Sequence, residues 1–175
     1  MTARLAGITA RAHARLGQRK SFEAAYRDAM DQRERLPAQA PTGLGARSAA
    51  PALYGVTTNL ASACIALDLG DQSLRHATDA LGLITAVPED SRCPKNEACA
   101  RIDLAMALVP VGSPDEACGL GHQALSSEMD PFSVRLNALK LDAALQRGYA
   151  DLPVAREFHE RCRLLAQPPP SPLEP

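Results

Sequence analysis

Apolar and small residues recur along this chain at intervals of three and four, the spacing that lays a stripe down one side of a helix. A glycine follows each striped segment, and a second striped segment follows the glycine. LGQRKSFEAAYRDAM (16–30), LGDQSLRHATDAL (69–81) and VGSPDEACGLGHQAL (111–125) share this plan. After Gly17 the small or apolar positions are Phe22, Tyr26 and Ala29; after Gly112 they are Ala117, Gly121 and Ala124. Such spacing predicts helical hairpins that pack through alanine-sized contacts. Hairpins of this kind stack into a right-handed solenoid, which works by presenting an extended surface. The expected fold is therefore all-α: stacked helical hairpins forming a degenerate tetratricopeptide-like α-solenoid.

Residues 1–36 read as an N-terminal hairpin, with helices at 3–16 and 21–35 and Gly17 as the stop. PAQAPTGLGARSAAP (37–51) has no period, so 37–52 reads as a flexible connection. An array spans 53–166. Its first helix (53–69) carries Leu53, Val56, Leu60, Cys64 and Leu67, ends at Gly70, and hands over to a helix capped by Asp71. The next hairpin has Ser91 as cap, Pro94 in the first turn, and Ile102, Ala105 and Val109 inside. Gly112 closes that helix. Ser113-Pro114-Asp115-Glu116 then has the form of a capping box, and Gly121 allows a close approach beside Ala117, Leu120 and Ala124. The last pair opens at Asp130-Pro131 and carries Phe132, Leu136, Leu139 and Ala143 as its stripe. Gly148 breaks the chain, Asp151 caps the final helix, and Val154, Phe158, Cys162 and Leu165 line it. The proline-rich tail at 167–175 is expected to be disordered.

Composition supports helices. Alanine and leucine lead, and aromatics make up only 3% of the 175 residues, a mix that favours helices over sheets. It also leaves few large anchors for a tight interface. The net charge of −1 offers no basic excess to neutralise a phosphate backbone, so direct nucleic-acid binding is not expected. No apolar run reaches the length of a membrane span, and the N-terminus lacks the apolar core of a secretory signal. These features point to the cytoplasm. Cys64, Cys93, Cys99, Cys118 and Cys162 are scattered and read as small reduced hydrophobes.

Two stretches carry a family resemblance. SRCPKNEACARIDLAMALVPVGSPDEACGLGHQAL (91–125) and LDAALQRGYADLPVAREFHERCRLL (141–165) resemble the C-terminal region of actinobacterial helix-turn-helix transcriptional regulators. The resemblance lies in the RIDLAMAL helix, the GSPDEA turn and the YADLP junction. Those regulators join a DNA-binding domain of the lambda-repressor type to a tetratricopeptide-like array that senses a partner or ligand. The resemblance implies a sensory, non-catalytic module. This chain departs from the family by lacking the DNA-binding segment, by a shortened hairpin at 70–81, and by Pro110, which should end its helix about a turn early. The expectation is a fragment, a truncated product or a stand-alone array. The alternative is an adaptor unconnected with transcription.

Candidate chemistry is sparse. Cys93 and Cys99 with His76 or His122 could be imagined around zinc, but a six-residue cysteine spacing fits no common site. The plainer reading is two small helix residues and two solvent-side histidines. His159 reads as solvated. No nucleophile–base order, phosphate loop or carboxylate pair stands out, so neither an enzyme nor a cofactor is expected. The first helices of the hairpins, which line the concave face of such arrays, offer Asn59, Arg101, Arg135, Asn137 and Lys140 as a groove for a partner or ligand. Against this, Arg101 is placed to pair with Glu97 along its own helix. Leu5, Ile8, Ala12 and Leu16 form the outer stripe of the first hairpin, which in a longer array would be covered by a neighbour. They are the expected surface for self-association or for a protein or peptide partner.

Overall fold

The computed structural model describes residues 2–36, 52–126 and 132–166. The expected connection at 37–51, the Asp130-Pro131 helix start and the tail at 167–175 lie outside the described residues. Eight α-helices and no strand are found among the described residues. They are α1 (Ala3–Arg15), α2 (Arg19–Glu34), α3 (Ala52–Ala66), α4 (Gly70–Thr85), α5 (Pro94–Leu108), α6 (Pro114–Leu125), α7 (Phe132–Tyr149) and α8 (Pro153–Ala166). Consecutive helices pack in pairs, and α1 meets α3, α3 meets α5, and α5 meets α7. None is long and apolar enough to cross a membrane.

Small residues set the spacing of the first contact. α1 buries Ala3, Ala6, Gly7, Ala10 and Ala14. A Cβ at Gly7 would stand 3.2 Å from Asn59 Cβ and 3.3 Å from Val56 Cγ2, so even one extra methyl would crowd α3. Phe22 of α2 and Val56, Leu60 and Cys64 of α3 complete this part of the core. The first hairpin is tied further to α4. Tyr26 Oη lies 2.7 Å from His76 Nε2, and Arg33 Nη2 donates to Asp79 Oδ2 at 2.7 Å. His76 is thus not a solvent-side residue as its sequence context implied; it is buried. Burial, with Arg33 and Arg75 nearby, pushes its pKa down to about 4.

Two of the expected glycine stops hold. Gly17 (φ 67°) and Gly112 (φ 84°) adopt left-handed backbone. The next N–H closes each turn, Gln18 onto the His13 carbonyl at 2.9 Å and Ser113 onto the Leu108 carbonyl at 3.2 Å. At the end of α3 the left-handed residue is Asp68 (φ 55°), and Gly70 begins α4. Aspartate tolerates this conformation better than most side chains. α4 is a full 16-residue helix. Gly148 does not break α7, which runs on to Tyr149; the cost of one helical glycine, about 1 kcal/mol, is small beside tertiary packing. α5 ends before Pro110, as expected.

Several expected caps are absent. Ser113 precedes α6 but makes no side-chain cap bond, so the anticipated capping box does not form. Cys93, not Ser91, precedes α5, and Asp71 sits inside the first turn of α4. There its charge favours the helix N-terminus without capping it. At α8 the Leu152 carbonyl, not Asp151, receives the first helical bond, from Arg156 N–H at 3.1 Å.

α7 also turns a different face inward. Val134, Ala138, Leu141 and Leu145 are buried, whereas Phe132 is 79% exposed, Leu136 43% and Leu139 39%. The core around α5 to α8 gathers Ile102, Leu108, Leu141, Leu145 and Phe158. Gly121 makes the anticipated close approach: a Cβ there would fall 2.5 Å from Phe158 Cε2 and 3.0 Å from Leu141 Cδ2. Phe158 is fully enclosed and has nowhere to go. Gly121→Ala is therefore expected to lose about 1–3 kcal/mol in urea melts. Ser113→Ala should leave the midpoint within about 0.5 kcal/mol of wild type, because no cap bond is lost. A large loss for Ser113→Ala would restore the capping box.

Candidate functional site

The first helices of the pairs meet along a polar seam. On α1, Arg11 Nη1 donates to Asn59 Oδ1 of α3 at 3.3 Å. The Asn59 amide is oriented for this because its Nδ2 donates to the Gly55 carbonyl at 2.7 Å. Burial, and then the charge of Arg15 one turn away, lowers the Arg11 pKa, while Asp103 pulls in the opposite direction. An open cavity of about 450 Å³ adjoins this pair, lined by Ile8, Arg11, Ala12, Arg15, Leu16 and Asn59.

Asp103 of α5 occupies the middle of the seam. Its Oδ2 accepts from Thr58 Oγ1 at 3.1 Å and from Ser62 Oγ at 3.3 Å, both on α3. The residue keeps some surface, but the carboxylate is surrounded by protein. Burial raises its pKa to about 6, against the Thr58 bond, the Arg11 charge, the Ser62 bond and the Lys140 charge. Cys99, one turn earlier, is half-buried; burial and Asp103 raise its pKa. The charge of Lys95 and the neighbouring Asn137 side chain work the other way. Lys140 Nζ in turn donates to Asn137 Oδ1 at 3.3 Å. Asn59, Asn137 and Lys140 therefore lie on one continuous seam with Arg11, Cys99 and Asp103.

Arg101 does not join it. Two residues from Asp103 on a helix, it points to nearly the opposite side. Its Nη2 binds Glu97 Oε1 at 2.6 Å, and Glu97 also takes Arg92 Nη1 at 3.6 Å. Arg92 donates to the carbonyls of Val87 and Thr85, so this cluster fastens the end of α4 to α5. Arg135 is exposed on α7. Sequence reasoning did not place Arg11 or Asp103 in the groove; for Asp103 the available signal was a lone acid inside the alanine-rich run ARIDLAMAL.

The α1 stripe is open, as expected. Leu5 is 49% exposed, Ile8 44% and Leu16 69%, and Ala12 is exposed beside them. A second open stripe, Phe132, Leu136, Leu139 and Ala143, lies on α7. His159, read from sequence as solvated, is half-exposed but pairs with buried Asp142 at 2.9 Å. His122 stacks edge-on to Phe158. All five thiols are unpaired. Burial pushes Cys64 and Cys162 up to about 12 and Cys118 to about 11, which holds those thiols protonated. Among the described residues, no three His, Cys, Asp or Glu side chains gather where they could hold a metal ion.

The Asp103 shift has a calculable consequence. Its folded pKa, about 6, lies above the ordinary 3.8, so the native state holds this proton more tightly than the unfolded chain. Stability from this group is complete below pH ~4, falls as the pH rises towards 6, and is level above that. Asp103→Asn should therefore stabilise the protein by about 1–3 kcal/mol at pH 8 and give no gain at pH 4. Thermal melts at both pH values check this; an equal gain at both would remove the buried charge as the cause.

No protein-family model matches this chain, and no curated protein or solved structure matches it either.

Proposed function

We propose that this chain is a non-catalytic binding module, a tetratricopeptide-like stack related to the sensory region of helix-turn-helix transcriptional regulators. Its partner is a protein or peptide, held along the face made by α1, α3, α5 and α7. The observation that carries this reading is the seam itself. Four successive first helices bring Arg11, Asn59, Asp103, Asn137 and Lys140 to one side, and an open cavity lies at its α1 end. Amide and cationic groups held by hydrogen bonds within a seam lose little freedom when they engage a peptide backbone or carboxylate. The near-neutral net charge supports a partner other than nucleic acid. The tie to transcription rests on the resemblance of 91–125 and 141–165.

Selection of a random peptide-display library on the full chain tests the reading. Peptides that bind in solution are expected, and Asn137→Ala combined with Lys140→Ala should weaken them at least ~5-fold, about 1 kcal/mol. Recovery of no binding peptide, or of peptides indifferent to every change along the seam, would overturn it.

A further inference from the structure

We infer that the outer face of α1 docks an acidic amphipathic helix of a partner protein, whose apolar side covers Leu5, Ile8 and Leu16 and whose carboxylates meet Arg11 and Arg15. The inference rests on the binding-module reading and names the partner chemistry at one end of its surface.

The apolar half of the argument is exposure in register. Leu5, Ile8, Ala12 and Leu16 follow one another by three, four and four positions, and each stands open. The stripe runs about 16 Å along the helix, the length of three turns of a partner helix. Ile8, Ala12 and Leu16 also line the shallow, open depression beside Asn59. A stripe of apolar anchors about one turn apart suits a helix laid along it.

The charged half selects the partner. α1 carries Arg4, Arg11 and Arg15 and no acid at all. Arg15 is exposed at the cavity wall, and Arg11, one turn back, suffers its repulsion. Carboxylates spaced by one turn on an incoming helix relieve that repulsion and gain charge-assisted hydrogen bonds. A second copy of this chain fits less well. Its own α1 is equally basic, so pairing α1 with α1 sets basic against basic, which costs affinity. A bilayer surface fits less well too. Arg11 is engaged by Asn59 rather than free to extend to a lipid headgroup. Asp103 marks the limit of the site: a partner helix extended towards α5 must present something other than an acid there.

The probe is a synthetic peptide of about 16 residues with leucine at helical three-four spacing and glutamate on its flanks, beside a twin with lysine for glutamate. Each is titrated into the isotopically labelled full chain and followed by heteronuclear NMR and anisotropy. The glutamate peptide is expected to shift amides within Leu5–Leu16 and to bind at least ~10-fold more tightly than its twin at ~50 mM salt, with the gap narrowing at ~500 mM. Arg15→Glu, which leaves the Arg11–Asn59 bond in place, should reduce the gap at least ~3-fold, and Arg11→Glu with Arg15→Glu should reverse the order. Equal affinities, shifts confined to α5 and α7, or no binding by the glutamate peptide would overturn the inference while leaving the seam reading to its own selection test. Dimerisation that buries α1, or binding to phosphatidylglycerol vesicles that Arg15→Glu abolishes while the peptides stay indifferent, would replace the partner helix with a second copy or a membrane.

Discussion

The close approach of α1 to α3 is the constraint on which the rest of the first half depends. Gly7 leaves 3.2 Å between a notional methyl and Asn59 Cβ, and Ala3, Ala6, Ala10 and Ala14 extend that thin contact along the helix. Alanine gives up no rotamer freedom on burial, so two backbones can come together with little side-chain entropy lost. At that separation a single amide spans the gap: Asn59 reaches its own Gly55 carbonyl on one side and Arg11 on the other. Bulkier α1 residues would push the helices apart, open the Arg11–Asn59 bond and flatten the cavity beside it.

Short-range packing also explains how charge becomes local on a chain that is nearly neutral overall. The net figure of −1 hides a first helix with three arginines and no acid. It hides a carboxylate enclosed among hydroxyls in the fifth. Bulk composition speaks to non-specific attraction, whereas recognition is decided by which few groups share a surface. Here the basic groups flank an apolar stripe, and the enclosed acid lies behind them.

Much of the helical plan was legible. The glycines at 17 and 112 marked true left-handed turns because nothing else in their neighbourhood adopts that backbone cheaply. Gly70 misled because Asp68 had already made the turn. Gly148 misled because α7 gains more from packing than one glycine costs. The stripe on α7 was ambiguous in principle. Phe132, Leu136, Leu139 and Ala143 and the set Val134, Ala138, Leu141 and Leu145 are both helical stripes, and only contact with α5, α6 and α8 chooses between them. Of the anticipated groove, Asn59, Asn137 and Lys140 share the seam and Arg101 does not, since a two-residue offset on a helix reverses direction. Asp103 was not assigned to the groove because its partners, Thr58 and Ser62, lie more than forty positions earlier. No local pattern announces such a meeting.

The ties between the first hairpin and the rest carry one more implication. α1 and α2 share a core with α3, and Tyr26–His76 and Arg33–Asp79 bridge residues 50 and 46 positions apart. These contacts owe nothing to the peptide bonds that join residue 36 to residue 52. Covalent continuity there raises the effective concentration of the two pieces without creating the fit between them. The hairpin at 2–36 thus stands to the remainder much as a bound subunit stands to its receptor. A protease that nicked the chain between the two would remove that effective concentration and leave docking to the alanine face and the two side-chain bridges alone.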